Sequence, residues 1–123
     1  MRSLEGYRPR SGLSVPLVTA LDDAGRFDAA SQRRLVRHVV SEGFGADILF
    51  AGGTTGEALA VLRDDREGLL EACVDELKVL GQGVELWAGV TMRTRTETLG
   101  LLQHAVRAGA DAAVIAPLSI ADL

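Results

Sequence analysis

The sequence predicts an α/β protein built on a parallel sheet, and three observations carry this. Short apolar runs alternate with longer amphipathic stretches in the order βαβαβαβ. The apolar runs are hydrophobic over most of their length, as expected of strands covered on both faces. Each βα unit takes about 30–35 residues, the size of a helical crossover between parallel strands.

Residues 1–11 contain Arg2, Arg8, Pro9 and Arg10 with no periodicity and read as a flexible arm. Leu13 to Leu21 is the first strand, with Pro16 marking a strand start or a bulge. Asp22-Asp23-Ala24-Gly25 is a turn. Asp28 caps a helix running to about Glu42, with Leu35, Val36, Val39 and Val40 at helical spacing and Gly43 at its end. Asp47 to Ala51 is a second strand, followed by Gly52-Gly53-Thr54-Thr55-Gly56-Glu57. Asp64, Asp65 and Glu67 load the first turn of a second helix, where negative charge suits the helix dipole. Its buried stripe is Leu69, Leu70, Cys73, Val74 and Leu77, and Gly81 and Gly83 end it. Val84 to Val90 is a third strand. Thr94-Arg95-Thr96-Glu97 has capping-box spacing for a third helix, with Leu101, Leu102, Ala105 and Val106 inward and Gly109 at its end. Ala112 to Ala116 is a fourth strand, closed by Pro117.

At 123 residues the chain makes one domain at most. Its formal net charge is −4 and it has no basic run, which argues against nucleic-acid binding. A single cysteine, Cys73, excludes an internal disulfide framework and a multi-cysteine metal site. No apolar run reaches the ~18 residues of a membrane span, and Met1 to Arg10 is not a secretory signal, so a cytoplasmic location is expected. The only lysine is Lys78 and the only tyrosine is Tyr7.

Two architectures fit this pattern: a small open α/β sandwich, or half of a (β/α)8 barrel, since a full barrel takes about 250 residues. A self-contained open sheet would carry a fifth strand and a covering helix, which favours the half barrel. In both, ligands bind at the carboxyl ends of the strands. There, Gly52 to Glu57 is the most informative loop. Its glycines allow close approach to a ligand, and its backbone N–H groups and two hydroxyls suit a small anion such as a carboxylate. A tight turn that merely needs glycine is the competing explanation. No Gly-Lys-Ser/Thr follows, so this is not a Walker loop.

Gly53-Thr54-Thr55-Gly56-Glu57 after a strand resembles the signature loop of the dihydrodipicolinate synthase / N-acetylneuraminate lyase family. Further motifs follow in the family's order: Val18-Thr19, Gly25 to Asp28, Leu62 with Asp65-Arg66, Ala88-Gly89-Val90, Glu97, Gly109-Ala110-Asp111-Ala112 and Pro117. The resemblance covers residues 12–117, so that residues 12–123 read as the N-terminal half of a TIM barrel. It implies a Schiff-base lyase or aldolase acting on pyruvate or another 2-oxo acid, with no cofactor or metal, and a homo-oligomer for the full-length protein. It implies that Thr55 anchors the substrate carboxylate, Thr54 serves a proton relay, and Gly53 and Gly56 shape the pocket.

The family's Schiff-base lysine on strand six and tyrosine on strand five have no counterpart in this chain, which is therefore expected to be inactive alone. Leu118 and Ser119 stand where many members have two tyrosines, and Arg93 and Arg95 where an Asn and a Thr are common. Arg93 is a candidate for an acidic substrate tail, against a solvated helix-start arginine. His38 and His104 read as helix-surface residues, Trp87 as packing, and Glu57 as a loop-locking hydrogen bonder rather than an acid or base. Two other functions remain open. One is a noncatalytic half-barrel that binds or dimerises, to be separated by whether the chain folds alone. The other is a receiver-like signalling domain using Asp22-Asp23, which would need an aspartate at the end of strand three.

Overall fold

The structure, a computed structural model, describes residues 6–8, 10–43 and 45–116. Pro117, Leu118 and Ser119 lie outside the described residues. The elements are β1 (Ser14–Pro16), α1 (Ala29–Arg37), β2 (Ile48–Ala51), α2 (Arg63–Leu80), β3 (Glu85–Gly89), α3 (Arg95–Ala108) and β4 (Ala112–Val114). The four strands are parallel and lie in chain order, β1-β2-β3-β4.

That order decides between the two architectures. Right-handed crossovers between successive neighbours put every helix on the same face of the sheet. A doubly wound sandwich, or a receiver domain, needs a reversal of strand order. Here there is none, so the chain has the fold of the N-terminal half of a (β/α)8 barrel.

Alternation divides the sheet into two faces. Leu49, Ala51, Leu86 and Ala88 lie on the helical side and join Val36, Leu69, Leu70, Cys73, Leu101 and Ala105 in the core. Pro16, Phe50, Trp87 and Ala112 stand in one register row on the opposite face. Asp28 caps α1 by accepting from the Ser31 N–H at 3.1 Å. Thr94 caps α3 by accepting from the Glu97 N–H, and its hydroxyl donates to Glu97 Oε1 at 2.8 Å. Gly81 and Gly109 end α2 and α3 in the left-handed region, where a side chain is disfavoured.

Four expectations are corrected. β1 is shorter than Leu13–Leu21 because buried Gln32 on α1 takes over the backbone beyond it. Gln32 Nε2 donates to Val18 O and the Ala20 N–H donates to Gln32 Oε1 at 2.7 Å. Pro16 is tolerated because Leu13 O and the Leu17 N–H bond to β2, which turns the Pro16 nitrogen away from it. The first helix does not stay α-helical to Glu42: His38–Glu42 is a π-helical turn, closed by the Gly43 N–H donating to His38 O. Val106 is 44% exposed, because the packed side of α3 runs through Leu101 and Ala105 instead.

His104 is the fourth correction, being 8% exposed rather than a surface residue. It sits between α2 and α3 with Nε2 2.8 Å from Glu71 Oε1. Cys73 is fully buried, and burial pushes its thiol up to about 12.

Candidate functional site

The carboxyl ends of β2, β3 and β4 surround a cavity of ≈ 480 Å³. Its wall includes Gly52, Gly53, Thr54, Glu57, Gly89 and Thr91. Glycine is required where the two strand ends meet. Gly52 has φ +80°, and a Cβ there would stand 3.0 Å from Gly89 O. A Cβ on Gly89 would collide with the Gly52 carbonyl.

The loop after β2 folds into two overlapping turns. The Gly56 N–H donates to Gly53 O at 3.1 Å, and the Glu57 N–H donates to Thr54 O at 3.0 Å. Among the described residues the N–H groups of Thr54 and Thr55 have no hydrogen-bond acceptor. Successive unpaired N–H groups of this kind form a concavity that suits an anion. Glu57 adopts φ +54°, among the described residues the only non-glycine with positive φ. The cost of holding a side chain there is about 1–3 kcal/mol, and such strain concentrates at functional sites.

The four residues singled out from the sequence are contiguous but not equivalent. Thr54 and Gly53 line the cavity. Thr55 is exposed and lies outside the cavity wall. Gly56 is buried behind the loop, where the Thr19 hydroxyl donates to Gly56 O at 2.8 Å and ties the loop to the segment after β1. A Cβ on Gly56 would stand 2.9 Å from that hydroxyl. Arg93 is exposed and is not part of the wall. The Glu57 side chain is exposed and has no hydrogen-bond partner among the described residues, so it does not lock the loop as expected.

Two further residues belong to the site: Thr91, which the sequence did not single out, and Arg66, which entered there only as part of the motif of Leu62 with Asp65-Arg66. Thr91 ends the run after β3, lines the cavity, and accepts the Ala116 N–H on its hydroxyl at 2.8 Å. Arg66, in the first turn of α2, is 1% exposed. Its Nη2 donates to Gly89 O at 2.7 Å and to Gly52 O at 3.4 Å. Its Nη1 donates to Thr91 O and lies 2.9 Å from Met92 Sδ. Burial lowers its pKa to about 10, still well above neutrality, so the cation persists. Its neighbour Asp65 pairs with Arg26 through two bonds of 2.7 and 3.0 Å, which hold the carboxyl below its ordinary range.

The Asp22-Asp23 pair is a turn. Asp22 Oδ1 accepts the N–H groups of Ala24 and Arg26, each at 2.9 Å. No acid stands at the end of β3, which finishes Ala88-Gly89. Lys78 lies at the opposite end of the sheet from the cavity. It shares a groove with Gly81, Gly83, Gly109 and Asp111, which precede β3 and β4. Among the described residues no cluster of three or more His, Cys, Asp or Glu side chains could hold a metal ion. No helix among them is long and apolar enough to cross a membrane.

The sequence profile of the dihydrodipicolinate synthetase family matches residues 9–117. The chain belongs to that family. It is 36% identical over 115 residues to a 4-hydroxy-tetrahydrodipicolinate synthase of Methylobacterium radiotolerans, covering 94% of this chain and 36% of the relative. Among solved structures it resembles dihydrodipicolinate synthase from Aquifex aeolicus, with 27% identity and a TM-score of 0.74 over 85% of this chain and 33% of that one. It also resembles a prophage protein of the dihydrodipicolinic acid synthase family from E. coli K12, solved in complex with pyruvate. That match has 27% identity and a TM-score of 0.76, again over 85% and 33% of the two chains. The chain thus spans about a third of the length of these family relatives, and its lyase homology rests on their N-terminal half barrel.

Proposed function

We propose that Gly53–Glu57 is the carboxylate site of a Schiff-base lyase acting on pyruvate or another 2-oxo acid, supplied by this chain to a complete barrel. The observation that carries this is the pair of unpartnered N–H groups on Thr54 and Thr55, set beside a cavity that Thr54 lines. Thr55 anchors the carboxylate from the rim. Thr54 offers its hydroxyl to a proton relay, and Gly53 and Gly56 keep the loop close to the ligand. The pyruvate complex of a family member with 27% identity supports this substrate class.

The reaction needs a lysine amine to condense with the ketone, and a desolvated pocket or a cationic neighbour to lower its pKa. Lys78 stands at the far end of the sheet, so the chain alone binds without turning over. On the family's pattern the complete protein is a cytoplasmic homo-oligomer that needs no cofactor.

Pyruvate titration followed through backbone amide resonances tests this reading. Shifts confined to Gly53–Glu57, weakened in Thr55→Val, are expected. Borohydride reduction in the presence of pyruvate should leave Lys78 unmodified. A reduced adduct on Lys78 overturns the assignment, and a loop that does not respond to pyruvate returns the chain to the noncatalytic reading.

A further inference from the structure

We infer that Arg66 is the positioning residue of the carboxylate loop: its buried guanidinium sets the separation of the carboxyl ends of β2 and β3. This rests on the reading of Gly53–Glu57 as a carboxylate site. Arg66 is among the largest fully buried side chains, and among the described residues no carboxylate pairs with it. Burying a cation without a counter-ion is costly, and an apolar side chain would fill the space more cheaply. The site therefore calls for an explanation other than packing.

The explanation lies in where its bonds go. Gly52, Gly89 and Thr91, whose carbonyls it grips, all line the cavity. Gly52 and Gly89 are the two residues whose backbones nearly touch. Nη2 donates to both their carbonyl oxygens and so bridges two partial negative charges that would otherwise repel. Gly52 leads directly into Gly53 and Thr54, so the angle at which the loop leaves β2 depends on this bridge. The Nη1 bond to Thr91 O extends the same grip to the segment after β3. A rigid planar fork can serve both sides at once, whereas a lysine ammonium would bring the charge without the fork. The cation also stands behind the loop that is read as taking an anion.

Amide hydrogen exchange on the chain, in wild type, Arg66→Lys and Arg66→Met, tests this together with pyruvate titration. In both variants the N–H groups of Gly56, Glu57, Ala58 and Val90 should exchange about 10- to 100-fold faster, the scale of losing a hydrogen bond to a charged group. The Gln32 and Gly81 N–H groups, held by Asp28 O and Leu77 O, should keep their rates. The pyruvate response of the loop should weaken in parallel, less in Arg66→Lys than in Arg66→Met. If Arg66→Met unfolds, Arg66→Lys decides alone. Wild-type exchange at the loop overturns the inference, as does equal acceleration at Gln32 and Gly81, the mark of a merely structural residue. A wild-type loop silent to pyruvate, with exchange as expected, removes the carboxylate reading and leaves the strand-end clamp standing.

Discussion

The two ends of the sheet treat their polar groups in opposite ways. At the amino ends of the strands, acids are satisfied by neighbours. Asp47 accepts from Arg10 at 2.8 Å and from the Leu13 N–H at 2.9 Å. Glu85 accepts from Tyr7, the Arg10 N–H and Trp87, and Asp111 accepts the Leu86 N–H at 2.9 Å. Tyr7 and Arg10 thus hold part of the N-terminal segment against the sheet. At the carboxyl ends, Thr54 and Glu57 stand open at a cavity, a non-glycine residue is held at positive φ, and a cation is buried on carbonyls and the Met92 sulfur with no carboxylate beside it. Barrels keep stability at the first face and chemistry at the second. Here the satisfied and the open polar groups already divide in the same sense within half a barrel.

The largest expected effect falls where the open end has no slack. Gly89→Ala drives a Cβ into the Gly52 carbonyl, and neither backbone can move without parting β2 from β3. A loss of about 3 kcal/mol or more is expected, at the upper end of overpacking costs. Urea denaturation reads it directly, and a near-neutral result would mean that the strand ends are not held as described.

Glu57→Gly goes the other way. Removing the side chain from φ +54° should stabilise the chain by about 1 kcal/mol. The comparison fails at this residue if denaturation shows a loss instead.

Acid separates the ends more finely. Asp47 is held low by the Leu13 N–H and Arg10, and Asp65 chiefly by Arg26. Lowered folded pKa values mean that this stability is complete above the unfolded carboxyl value of about 3.9. It is lost as pH falls through the folded values. Asp47→Asn and Asp65→Asn should each flatten the acid limb of a pH–stability curve, and an unchanged limb would show that the pairing contributes nothing.

The smallest effect is at Cys73. With its thiol pushed up to about 12, it should resist alkylation at mildly alkaline pH until denaturant is added. Its linked stability is present below the ordinary thiol value of about 8.5 and declines as pH rises toward the folded one. Rapid labelling of the folded chain would place Cys73 outside the core.

Much of the fold was legible because local signals agreed with one another. Asp28 and Thr94 each carry a side-chain oxygen three residues before the N–H they accept. Gly81 and Gly109 stand where the helices need a left-handed residue. The loop was visible because its glycines and two threonines directly follow an apolar run and resemble the family's signature loop; its composition alone fits a plain turn as well. Arg66 was legible only as part of a family motif; its burial was not, since between Arg63 and Glu67 it is one charge among several on a helix start. His104 and Gln32 were hidden for the same reason, because polar residues on amphipathic helices are ordinarily solvated.

What the amino-acid order determined by itself is periodic and local: element type, helix ends, parallel pairing and the identity of the loop. Element type, helix ends and the loop depend on residues a few positions apart, where propensity and capping act, and parallel pairing follows from the order in which those elements alternate. What only the tertiary structure decided is which polar groups lose their water. Gln32 meets Val18 and Ala20, Arg66 meets Gly52, Gly89 and Thr91, and His104 meets Glu71. Desolvation depends on surfaces brought together across the chain, and no local pattern records which polar side chain will be covered.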